Sequence, residues 1–126
     1  MQAYYWAKKN IERLENELLE LETEATRQTA QLTQERKSQN YDPDRLAELV
    51  AKIIEVKEEI NRQLQQSYEL VAKIEKAIEK LPEREKYLIR ARYIDCKSWE
   101  QIAVDMNYSW RQVHRIHANA LKLLAS

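Results

Sequence analysis

The chain contains no glycine. Tight hairpins, phosphate-cradling loops and most helix C-termini rely on a residue that takes left-handed backbone at no steric cost. An open sheet or a P-loop is therefore disfavoured, and every turn has to be made by another residue. Only two prolines interrupt the 126 residues, and a third of the chain is charged. Leu, Ala, Glu, Lys, Arg and Gln dominate, all among the better helix formers. The expectation is an all-α protein with few breaks.

Two segments carry break signals: Ser38-Gln39-Asn40-Tyr41-Asp42-Pro43, and Leu81-Pro82. Before the first, Tyr4, Ala7, Ile11, Leu14, Leu18, Leu21, Ala25, Gln28 and Leu32 recur at alternating threes and fours, the seam of one long helix. The seam weakens after Leu21, and fraying is expected over about 29–40. After the first break, Asp42 is a cap, Pro43 suits the first helical position and Asp44 suits the positive end of the dipole. A second seam then runs Leu46, Val50, Ile53, Lys57, Ile60, Leu64, Ser67, Val71, Ile74, Ile78 and Leu81. Each long helix has an apolar stripe to cover. The short connection favours antiparallel neighbours, hence a long, coiled-coil-like helical hairpin over 1–81. Leu19, Leu49, Ile54, Val56 and Leu70 widen the apolar surface beyond one seam, which points to a homodimer formed through the hairpin.

Residues 82–126 are expected to hold three shorter helices, Pro82–Asp95, Ser98–Met106 and Ser109–Ala125. Ser98 and Ser109 are capping residues, and Ser109 with Gln112 makes a capping-box pattern. Asn107 is the residue between the second and third helices best able to adopt left-handed backbone. A helix-turn-helix needs a small residue at its crossing, an apolar set around it and a left-handed turn. Ala103, with Ile102, Met106, Val113, Ile116, Ala120, Leu121 and Leu124, fills these positions, and Tyr87, Leu88, Ala91 and Ile94 complete a three-helix core.

On the last helix Ser109, Trp110, Arg111, Gln112, His114, Arg115 and Asn119 fall outside the apolar stripe. The N-terminal end of such a helix is the one that enters the major groove. Arginine suits guanine and glutamine suits adenine bidentately, so Ser109, Trp110, Arg111, Gln112, His114 and Arg115 are the candidate base-edge residues. Lys97, Ser98, Asn119 and Lys122 are the candidates for phosphate. Trp110 is open to two readings, a stack against the DNA backbone or a merely exposed ring. Charge agrees with this placement. Residues 1–82 carry 13 basic against 16 acidic side chains, and 83–126 carry 8 against 5, with no acid after Asp105. A basic end on a neutral chain fits a polyanionic partner, double-stranded DNA.

The run Leu81-Pro82-Glu83-Arg84-Glu85-Lys86-Tyr87-Leu88-Ile89-Arg90-Ala91-Arg92-Tyr93-Ile94 resembles the opening helix of region four of the main bacterial sigma factors. Ser98-Trp99-Glu100-Gln101-Ile102-Ala103 and Val113-His114-Arg115-Ile116-His117-Ala118-Asn119-Ala120-Leu121 continue it. The resemblance covers about 45 residues and implies promoter binding through the third helix and, in some members, contact with RNA polymerase. A promoter-melting domain is missing, and the acidic hairpin stands in its place. Long helices followed by a sigma-like end are similar to small phage and prophage proteins of Gram-positive bacteria, including late-gene activators of the ArpU and RinA kind.

The expected function is a sequence-specific transcription regulator in the cytoplasm of a bacterial host, without enzymatic activity or cofactor. The alternatives are a DNA-packaging subunit like a small terminase, usually with the opposite domain order, and a coiled-coil polymerase binder that never touches DNA. His114 and His117 have no Cys, Asp or Glu near them after Asp105 to complete a zinc site, so no metal is expected. Cys96 alone forms no internal disulfide and reads as a small loop residue. The opening Met1 to Lys9 lacks the apolar core of a signal peptide, and no run approaches membrane-spanning length.

Overall fold

The computed structural model describes residues 2–33 and 42–126. Five α-helices occur among the described residues: α1 (Ala3–Thr33), α2 (Pro43–Ile78), α3 (Glu83–Tyr93), α4 (Trp99–Met106) and α5 (Trp110–Leu124). No strand occurs among them, as the composition requires. The first expected break lies largely outside the described residues, as does the end of the frayed segment. Where it is described, Asp42 caps as expected, its Oδ1 accepting from the Asp44 and Arg45 amides at 3.0 and 3.2 Å. No described helix is long and apolar enough to cross a membrane.

The chain divides into two compact units, residues 8–65 and residues 1–7 with 66–126. In the first, Ile11 and Leu14 of α1 are buried with Val56 and Ile60 of α2, flanked by Leu18, Leu21 and Leu64. Glu22 pairs with Lys57 at 3.7 Å, and the Asp42 amide donates to Gln28 Oε1 at 3.4 Å. Rising numbers on one helix meet falling numbers on the other, so this unit is an antiparallel hairpin. The α1 seam lies where its spacing puts it, up to Gln28. The α2 seam requires a correction. Leu49 and Val56 are buried, whereas Val50 is 46% exposed and Lys57 faces outward toward Glu22. The step from Ile53 to Val56 to Ile60 keeps the three-four spacing with an apolar residue at each point. Placing Lys57 there instead would bury an ammonium.

The second unit is built on Leu88, Ile89 and Ala91 of α3, Ile102 of α4, and Val113, Ile116 and Ala120 of α5, together with Ile78 and Leu81. Ile74, Ala103 and Met106 pack against them. Here too expectations are corrected: Ile89 faces the core while Tyr87 is 43% exposed, and Leu124, expected on the inward stripe, is 38% exposed at the end of α5. A phenol facing solvent keeps its hydroxyl hydrated, while isoleucine has nothing to lose by burial.

The turns of this unit show how a chain without glycine reverses. Asn107 ends α4 with φ 58° and ψ 41°. The Tyr108 amide donates to Ala103 O at 3.0 Å and the Asn107 amide to Val104 O at 3.1 Å. This is a Schellman arrangement with asparagine where glycine is usual. Cys96, between α3 and α4, is a second left-handed residue at φ 58°. Its neighbour supports the loop: the Lys97 amide donates to Ala91 O at 3.0 Å, and the Lys97 carbonyl accepts from Arg92 Nη1 at 2.9 Å. Asn107→Ala should cost about 1 kcal/mol of stability, because the new Cβ lacks the local polar compensation of asparagine in left-handed backbone. Asn107→Gly should be neutral or stabilising there. Urea denaturation of both variants checks the assignment of the turn.

Candidate nucleic-acid interface

Two serine caps fix where α4 and α5 begin. Ser98 Oγ accepts from the Gln101 amide at 3.1 Å. Ser109 Oγ accepts from the Gln112 amide at 3.2 Å, while Gln112 Oε1 accepts from the Ser109 amide at 2.8 Å, closing the capping box. Between these starts, Ala103 packs against the core and Asn107 turns the chain. The two helices are therefore separate, with a small residue at their crossing.

With Val113, Ile116 and Ala120 inward, α5 sorts its remaining side chains into three stripes. The outward stripe holds Arg111, Arg115 and Lys122, all exposed. One flank is aromatic. The His114 ring lies between Trp99, at 4.4 Å between centroids, and Trp110, at 3.8 Å. Arg92 lies over the other indole of this stack, its Cζ 4.5 Å from the Trp99 ring. His114 Nε2 is buried with no hydrogen-bond partner among the described residues. Next along the flank, His117 meets the edge of Trp99 at 4.7 Å, and its Nε2 is 2.8 Å from the Tyr93 hydroxyl. Burial holds the Tyr93 phenol above its ordinary value, so it stays protonated, and the imidazole tautomer sets which of the two groups donates.

The opposite flank is polar and tied down. Glu85 is 2% exposed, yet it accepts from Arg84 Nη2 at 2.9 Å and from Asn119 Nδ2 at 3.3 Å. Burial opposes its charge, but Arg84, its own backbone amide and Asn119 outweigh that and hold the carboxyl below its ordinary range. Arg84 is in turn held above its usual value by Glu85 first and by the Tyr108 hydroxyl next. Arg84, Tyr108, Gln112, Arg115 and Asn119 together line a cleft along this flank. An acidic residue at a core-facing helix position, three before Leu88 and four before Ile89, is the sequence signal for this buried carboxylate.

The expected site residues thus fall into two groups. Trp110, Arg111, Arg115 and Lys122 present free surface or charge. The others carry structural duties as well. Ser98, Ser109 and Gln112 are caps, and the Gln112 oxygen that a bidentate adenine contact needs is held by the Ser109 amide. His114 is packed between two indoles, and Asn119 donates to Glu85. Lys97 pairs with Asp105 at 2.9 Å, and Asp105 also accepts from Gln101 Nε2 at 2.8 Å. The Asp105 carboxylate raises the Lys97 ammonium above its ordinary value and is itself lowered by Lys97. No group of three potential metal ligands occurs among the described residues.

His117 makes this site sensitive to mild acid. Burial first, then His114 and Arg92, oppose its charge, so its folded-state value lies below the ordinary 6.5. The unfolded chain takes up the proton first. Stability is therefore complete above pH 6.5 and is lost as pH falls toward the folded-state value. Glu85, lowered from 4.5, adds a separate loss at more acid pH. Chemical denaturation from about pH 8 to about pH 5 should show the first loss, and His117→Gln should remove that group's share of it.

Residues 72–124 match the family model for sigma-70, region 4. No curated protein and no solved structure matches the chain. The match takes in the end of α2 and all of α3 to α5, the same elements that share one core. This part of the chain is a sigma region 4-like helix-turn-helix.

Proposed function

We propose that the protein is a sequence-specific, DNA-binding transcription regulator that inserts the N-terminal end of α5 into the major groove. The observation that carries this is the outward stripe of α5. Arg111 and Arg115 lie one turn apart on an exposed face, and no acidic side chain follows Asp105 in the sequence. Bidentate guanidinium contacts to guanine suit that face. In this reading Ser109, Trp110, Arg111, Gln112, His114 and Arg115 form the base-facing group, with Arg111 and Arg115 as its readers. Lys97, Ser98, Asn119 and Lys122 flank it for phosphate. The match to sigma-70, region 4 supports the same role and makes RNA polymerase a natural second partner. The closest functional type is the late-gene activator of phage and prophage, of the ArpU and RinA kind, acting in the bacterial cytoplasm.

The 1–81 segment is proposed to pair two copies. Leu19, Val50 and Ile54 are 63%, 46% and 52% exposed. Leu19 is three residues from Glu22 on α1, and Ile54 is three from Lys57 on α2. The Glu22–Lys57 ion pair therefore marks the side of the hairpin that these apolar side chains share. An uncovered apolar strip on a surface helix pair suits a second copy. Two copies fit a regulator reading two half-sites. A dimer mass in solution supports this, whereas a ring of about eight or more subunits would move the protein to DNA packaging.

Arg111→Ala and Arg115→Ala should each cost about 1–3 kcal/mol on the preferred sequence and relax base preference. A selection from random duplex DNA followed by titration tests this, and parent-like binding by both variants would remove the recognition-helix assignment. Asp105→Asn should release Lys97 toward phosphate. It should tighten binding to all sequences at low salt and steepen the dependence on log salt by about one unit. A salt titration of this variant against the parent provides the comparison.

A further inference from the structure

The proposed DNA reading places Trp110 in the base-facing group but gives it no chemical target. It is the first residue of α5 and 56% exposed, at the helix end that enters a major groove. An exposed indole at such a position is a large apolar surface with one N–H donor. It is also held on one side. The His114 ring lies against it at 3.8 Å, Trp99 backs His114 at 4.4 Å, and Arg92 covers Trp99 at 4.5 Å. This column draws on α3, α4 and α5, so it fixes the ring relative to the whole helix-turn-helix. A ring already immobilised loses little conformational freedom when it touches a partner.

The major groove offers one apolar group, the C5-methyl of thymine. We infer that Trp110 is a specificity-determining residue that packs against a thymine methyl at the edge of the bases read by Arg111 and Arg115. His114 is its positioning residue. The burial of His114 Nε2 without a described partner fits that division of labour. The enclosed Nε2 is not available to the groove, and the ring packs at a tilt against the indole. The inference rests on the proposed DNA reading and adds the chemical identity of one contacted group.

The test uses the full chain and the duplex recovered from random DNA, with each thymine replaced in turn by uracil, which removes only the methyl. One thymine per half-site should show an about 4-fold loss of affinity, the worth of one buried methyl. Trp110→Ala should bind the thymine and uracil duplexes alike, close to the parent's affinity for the uracil form. His114→Ala should also lower the thymine-to-uracil ratio, and His114→Phe, which restores a flat ring, should recover it. Three results overturn the inference: no thymine position sensitive to uracil, a sensitivity unchanged in Trp110→Ala, or an equal loss on both duplexes. The last would assign Trp110 to the sugar-phosphate backbone. Binding that depends on Arg111 and Arg115 but ignores uracil removes the Trp110 assignment alone, and binding to no duplex removes the DNA reading with it.

Discussion

Asn107 holds left-handed backbone between α4 and α5, and the direction of α5 follows from that single residue. With no glycine available, asparagine is the least costly way to reach this conformation. Its amide and that of Tyr108 close the end of α4, and two residues later Ser109 opens α5. Little slack remains between the two helices. Ile102 and Val113 are fully enclosed beside that turn, so a change in its geometry is felt as lost packing in the core. The outward stripe of Arg111 and Arg115 is then a consequence of how the inward stripe is seated.

The polar side chains of α5 and its neighbours divide their work between holding the fold and facing outward. Glu85, Asn119 and Arg84 bind the start of α3 to the C-terminal half of α5 through a buried carboxylate. On the other flank tilted and edge-on ring contacts join all three short helices. A helix braced on both sides presents its free groups in fixed positions, which lowers the entropy lost when a partner docks on it. The same bracing limits which residues remain free to read a ligand. Lys97 already has Asp105, and Gln112 has given its oxygen to a cap.

Features set by local chemistry were legible in the sequence. Asp42 with Pro43, Ser98, the Ser109–Gln112 box and Asn107 are short-range signals, and each lies at the helix end it marks. The seam of α1 was equally clear because Ile11, Leu14 and Leu21 have polar neighbours or small residues beside them, with Leu19 the exposed exception. Choices between adjacent positions were harder. Val56 against Lys57 and Ile89 against Tyr87 depend on which neighbour is present to bury them. The left-handed backbone at Cys96 has no compositional signal, since cysteine has no special liking for it. Long-range polar pairs were the least visible. Glu85 with Asn119 lies 34 residues apart and Tyr93 with His117 lies 24 apart, and only the packed core brings them together.

The hydrophobic centre of the C-terminal unit does not stop at Pro82. Ile78 is almost fully enclosed in it, and Ile74 packs beside it from the last turns of α2. A segment excised at the proline would therefore leave part of that core open to water. The portable module, for grafting onto another scaffold or for recognising the same unit in other chains, begins within the long second helix. Its lower boundary is set by burial and not by the break in the backbone.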